Sequence, residues 1–124
     1  MRAELRSVWS ADADSLPEWR PDNVDFALPV RLMVGPAGEV GEESFDLTVC
    51  TGGWLADRAA DVGVVDPRHH LVVDRFHWPT VRQYLDDRVR SCSGKTWDEV
   101  AKQVGRFAYW EFEDYETAAG SAEL

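Results

Sequence analysis

Residues 41–55 read GEESFDLTVCTGGWL, and this stretch restricts the possible folds of the chain more than any other. Phe45, Leu47 and Val49 alternate with Asp46 and Thr48. A period of two puts neighbouring side chains on opposite faces, so this is a strand with one face buried. The alternation breaks at Cys50, Thr51, Gly52 and Gly53, and Trp54, Leu55 and Ala56 follow with helix-like composition. A core strand that runs through a glycine turn into a short helix is a junction where chains build nucleophiles or phosphate cradles. Its chemistry therefore has to be tested residue by residue.

The remaining segments arrange themselves around that strand. Residues 2–9 alternate, with Ala3, Leu5 and Trp9 expected on one side and Arg2, Glu4 and Arg6 on the other. Residues 10–25 are polar and turn-rich, with Pro17 and Pro21, and read as a long surface connection. Residues 26–34 alternate again, with Phe26, Leu28, Val30, Leu32 and Val34 on one face. Pro29 has no N–H for a ladder bond, so its end of the strand belongs at an edge or a bulge. The sequence Gly-Pro-Ala-Gly at 35–38 opens a hairpin loop that pairs this strand with residues 43–50. A short helix over 54–60 leads through an irregular link to a strand candidate at 70–76.

Trp78 and Pro79 start a helix whose apolar stripe is Val81, Tyr84, Leu85, Val89 and Cys92, with Gly94 as its expected stop. Thr96 and Glu99 have the spacing of a capping box for a second helix that carries Val100, Ala101 and Val104 and ends at Gly105. Residues 106–112 are rich in aromatics and are expected as a last strand, with Trp110 and Phe112 in the core. The implied fold is α+β: an antiparallel β-sheet with two main helices packed on one face and a short extra helix. One domain covers 1–116, and 117–124 reads as a flexible tail.

A chain of 124 residues that is 44% hydrophobic suits one domain with its own core. It has no run of about 18 apolar residues, so no membrane span is expected. Its charged start lacks the apolar region of a signal peptide, which points to the cytoplasm. Cys50 and Cys92 then read as two free thiols in a reducing compartment. The formal charge of −10, from 23 acids against 13 bases, argues against nucleic acid as a partner and for a basic one.

The glycine junction fails the tests for known chemistry. A phosphatase-type loop needs an Arg closing the loop after its Cys, whereas the next one here, Arg58, lies inside the helix. A phosphate-binding loop needs a Lys after its last glycine, where Trp54 stands, and Ser44 lacks the glycines of a nucleophile elbow. Cys50 is read as structural. His69 and His70 are neighbours in an expected strand and would point to opposite faces. His70 and Asp74 would lie about 13 Å apart, too far to share an ion. No catalytic group, metal or cofactor is expected. An enzyme or ligand-binding domain built on Cys50 and the glycine turn remains the alternative from another class, with a deep pocket beside Cys50 as its signature.

The acids fall into two groups, Glu39, Glu42 and Glu43 in the hairpin, and Glu111, Glu113, Asp114 and Glu116 near the end of the chain. Unpaired carboxylates are costly to bury, so both groups are expected on the surface as solvated faces or as a binding face for a basic partner. Trp54 is a candidate apolar anchor beside them, with a core role as its leading reading. Tryptophan is enriched at interfaces, and the chain has six.

Several segments resemble the Immunity protein 8 family: Met1-Arg2-Ala3-Glu4-Leu5, Gly35-Pro36, GEESFDLTVCT with Trp54-Leu55, Gly94-Lys95-Thr96-Trp97 with Glu99, and Trp110-Glu111-Phe112-Glu113-Asp114-Tyr115. GEESFDLTVCT and WEFEDY are the specific part, and residues 57–69 resemble the family least. Members are antidotes of bacterial polymorphic toxin systems, made beside a toxin. The resemblance implies an antitoxin that binds and neutralises a cognate toxin in the producing cell and contributes no catalytic residues. With the charge, it points to a basic toxin, such as a nuclease, whose active site an acidic surface would occlude. A general protein-interaction domain is the further alternative, and a toxin gene directly upstream would separate the two.

Overall fold

The computed structural model describes residues 1–112. The order of elements is β1 (Ala3–Trp9), β2 (Ala27–Pro36), β3 (Glu43–Thr51), α1 (Gly52–Val62), β4 (His70–Val73), α2 (Trp78–Arg90) and α3 (Trp97–Val104). The strands form one sheet in the order β1-β2-β3-β4. The fold is α+β, with β1–β2 and β2–β3 antiparallel and β4 parallel to β3. The parallel pair departs from the expected all-antiparallel sheet. A tight turn can only reverse a strand, but residues 52–69, with α1 among them, are long enough to carry the chain back to the start of a parallel neighbour.

The hairpin has the register Val34↔Glu43 through Ala27↔Cys50. It puts Leu28, Val30, Leu32, Val34, Phe45, Leu47 and Val49 on one face, and all are buried. α2 and α3 cover that face with Val81, Leu85, Val89, Val100, Ala101 and Val104. Tyr84, expected in the α2 stripe, lies at its margin and is 48% exposed. Pro29 sits as expected at a local edge. Its partner Thr48 donates its N–H to His69 on the β4 side, so Pro29 faces the β1 side, where pairing has already ended at Trp9↔Arg31.

β1 is bulged. Leu5 pairs with Val34 and Ser7 with Met33, so Arg6 is an extra residue. After the bulge Val8 pairs with core-facing Leu32, and Trp9 pairs with Arg31 on the other face. Trp9 is therefore not on the Ala3–Leu5 side. A bulge shifts every later side chain to the opposite face, and here it sends Trp9 outward. The Arg6 guanidinium closes over the hairpin and donates from Nη2 to the carbonyls of Pro36 (2.8 Å) and Glu39 (2.7 Å).

Residues 10–25 do more than cross the surface. Leu16 is buried, and Trp19 meets Phe26 and Phe76 edge-on at centroid distances of 5.4 and 4.8 Å.

α2 ends at Arg90 with Ser91 as its cap, earlier than the expected stop at Gly94. The chain turns there to meet the edge of β1, where Ala3 N–H donates to Cys92 and Gly94 N–H to Met1. Gly94 is needed for close approach, since a Cβ would sit 2.9 Å from the Glu99 side chain. Thr96 caps α3 by accepting from Glu99 N–H at 3.2 Å, and the Glu99 carboxylate reaches back to Lys95 N–H at 2.8 Å, one residue further than in a standard box.

Residues 106–112 are not a strand. The N–H groups of Phe107 and Ala108 both bond to Val104, which continues the turn of α3, and only Tyr109 forms a bridge, with Asp46. Alternation therefore does not hold across the segment. Trp110 is buried against Phe45 with centroids 6.1 Å apart, whereas Phe112 is 41% exposed and not in the core.

Candidate functional site

The strand–glycine–helix junction is occupied by its own chain. Thr51 is buried, and its hydroxyl accepts from Phe26 N–H and from Trp54 N–H, which caps α1. It donates to the Asp25 carboxylate at 3.0 Å, and that carboxylate lies against Gly53, where a Cβ would displace it. A carboxylate thus fills the place at the start of α1 that a phosphate would take. Cys50 is fully buried, and burial pushes its thiol pKa up, away from the thiolate a nucleophile requires. Burial likewise raises the Cys92 thiol.

Among the described residues no three His, Cys, Asp or Glu side chains are grouped to hold a metal ion, and no helix is long and apolar enough to cross a membrane. His69 precedes β4 with φ of 66° and is a turn residue, so it does not alternate with His70. Both instead line one groove, with His69 Nε2 donating to the Gly105 carbonyl at 3.0 Å.

That groove, about 440 Å³, runs over the sheet face opposite α2 and α3. The strand registers build a transverse row on it. Trp9 pairs with Arg31, Arg31 with Asp46, and Asp46 with Tyr109. Paired residues point to the same face, so the four side chains stand side by side. Arg31 binds Asp46 through two parallel hydrogen bonds, Nε–Oδ1 at 2.8 Å and Nη2–Oδ2 at 3.1 Å. The Arg31 guanidinium also lies 5.8 Å from the centre of the Trp9 ring. Asp46, by hydrogen bond and then by charge, holds Arg31 in its charged form, and Glu111 adds to this from nearby. Tyr109 closes the row beside the His69 ring at 5.9 Å. Trp9 and Tyr109 are 48% and 51% exposed. A second hollow, about 540 Å³, lies between β4 and the start of α2, and neither hollow reaches Cys50.

The acids named from the sequence have different fates. Glu39 and Glu42 are exposed in the β2–β3 loop. Glu43, the first residue of β3, is half-buried, and its carboxylate accepts the indole N–H groups of Trp97 and of Trp110, the latter at 3.3 Å. It is thus an internal tie between β3, α3 and the end of the described chain. Glu111 follows Trp110 and is exposed, so the Glu43–Trp110 bond brings one member of each acidic group to the same end of the sheet. Glu113, Asp114 and Glu116 lie outside the described residues. Trp54 is half-buried in α1, 6.2 Å from His70 and apart from the hairpin acids.

The sequence reading missed the row Trp9–Arg31–Asp46–Tyr109. One signal was available: the hairpin register places Arg31 opposite Asp46 as soon as the loop is fixed. The bulge that turns Trp9 outward and the bridge that seats Tyr109 leave no such mark.

A family model described as Immunity protein 8 matches residues 3–115 of the chain. No match was found among curated proteins or among solved structures.

Proposed function

The chain belongs to the Immunity protein 8 family, and from that premise we propose that it binds one cognate toxin inside the producing cell and blocks it by covering its active site with an acidic surface. Membership implies a toxin as partner, and immunity proteins are generally inhibitors without catalysis of their own. The observation that carries the proposal is the placement of exposed Glu39, Glu42 and Glu111 in a chain of net charge −10. Such a surface attracts a basic cleft over distance and competes for the place of an anionic substrate, as a nuclease would present. Glu113, Asp114 and Glu116 extend this acidic set in sequence, and Trp54 is a further contact candidate. Glu43 contributes by holding Trp97 and Trp110 rather than by meeting the toxin directly.

The test is the association rate with the purified, catalytically inactivated toxin encoded beside the gene, over a salt series. Glu39→Gln, Glu42→Gln and Glu111→Gln combined are expected to slow association about tenfold at low salt. Raising the salt should slow the unaltered protein in the same way, because screening shortens the field to about 8 Å at 0.15 M. A rate indifferent to both would remove the acidic surface from the mechanism.

A further inference from the structure

We propose that the row Trp9–Arg31–Asp46–Tyr109 on the open sheet face is the apolar anchor of the toxin interface, seated in the toxin with the acids at its rim. This rests on the toxin-binding reading and adds the surface that holds the complex once charge has brought it together.

Three observations support it. The first is the bulge at Arg6, which spends an extra residue in β1 and turns Trp9 away from the core face onto the open one. A large aromatic exposed by a local break in pairing is a feature of the backbone itself. The second is rigidity. Trp9 lies against the Arg31 guanidinium, which two bonds to Asp46 hold in place. Side chains already ordered lose little entropy on binding, and Trp, Tyr and Arg are the residue types that dominate interface energetics. From Trp9 to Tyr109 the row crosses three strand spacings, about 14 Å, which matches the central part of an interface of about 800 Å² per partner.

The third is charge. Arg31 and Asp46 neutralise one another, and Arg68, which lines the same groove, offsets the charge of Glu111, so the face itself is near neutral within a chain of net charge −10. The fitting occupant therefore presents apolar hollows for the two rings with basic residues around them. A second copy of this chain would bring the same acids and the same −10 against this face, and like charges across a two-fold interface repel.

The experiment measures dissociation of the same inactivated toxin from Trp9→Ala, Tyr109→Ala and the double variant, with thermal midpoints measured in parallel. Each single variant is expected to dissociate at least tenfold faster with an association rate within about twofold of the parent, the reverse of the acid substitutions. Thr48→Arg, which fills the groove floor, is expected to abolish binding and gives an independent reading should a truncation unfold the chain. Unchanged dissociation for folded double and Thr48→Arg variants, while the parent binds tightly, would overturn the anchor and leave the toxin-binding function standing. A parent that does not bind the toxin at all would overturn both. A Trp9-dependent dimer in sedimentation would make a second copy the occupant and overturn the anchor.

Discussion

Tyr109 and Trp110 are adjacent in sequence and separated by the sheet. Trp110 turns inward, stacks on Phe45 and gives its N–H to Glu43. Tyr109 pairs with Asp46 through its backbone and leaves its ring half in water. The same contrast holds for the whole sheet. One face is sealed by α2 and α3 and is apolar, with Phe45 and Trp110 among mostly aliphatic side chains. On the other, no helix among the described residues covers the Trp9–Tyr109 row, which is an aromatic–ion pair–aromatic arrangement. The chain's aromatics therefore serve two purposes. On the sealed face they exclude water and hold the fold. On the open face they are fixed in place by polar partners without being buried.

Substitutions on each face test this division. The largest effect is expected on the sealed face. Trp110→Ala leaves a cavity against Phe45 and frees one oxygen of Glu43, and should cost about 3–5 kcal/mol, read as a lower urea midpoint. If Trp110→Ala melted like the parent yet lost its toxin, the ring would belong to the interface and the division would be misplaced.

An intermediate effect belongs to the helix that seals the core. Thr96→Ala removes the acceptor for Glu99 N–H and should cost about 1 kcal/mol by the same measurement. No change in midpoint would mean that α3 is started by the Glu99–Lys95 contact alone.

The smallest effect on stability is expected on the open face. Trp9→Ala gives up the contact with Arg31 and should change stability by less than about 1 kcal/mol. A loss comparable to that of Trp110→Ala would show that the row supports the fold.

The alternation in residues 26–34 and 43–50 was enough to identify the core face of β2 and β3, because each pleat decides its own side chains by local sterics. Trp78-Pro79 and Thr96 fixed the starts of α2 and α3, since a proline's preset φ in the first turn and a capping hydroxyl both act within a few residues. The two acidic groups were visible as sequence, and the solvent exposure of Glu39, Glu42 and Glu111 followed from the cost of burying charge. Tertiary structure decided the rest. Glu43 looks like its neighbours Glu39 and Glu42 until Trp97 and Trp110 arrive from α3 and beyond. Trp9 follows the parity of Leu5 until the bulge at Arg6, whose guanidinium binds carbonyls of the β2–β3 hairpin, changes its face. Tyr109 has a face only because Asp46 pairs with it across the sheet edge. Periodicity and capping are settled within one or two turns of chain. The bulge and the bridge depend on partners tens of residues away, and the candidate anchor is made of those distant pairings.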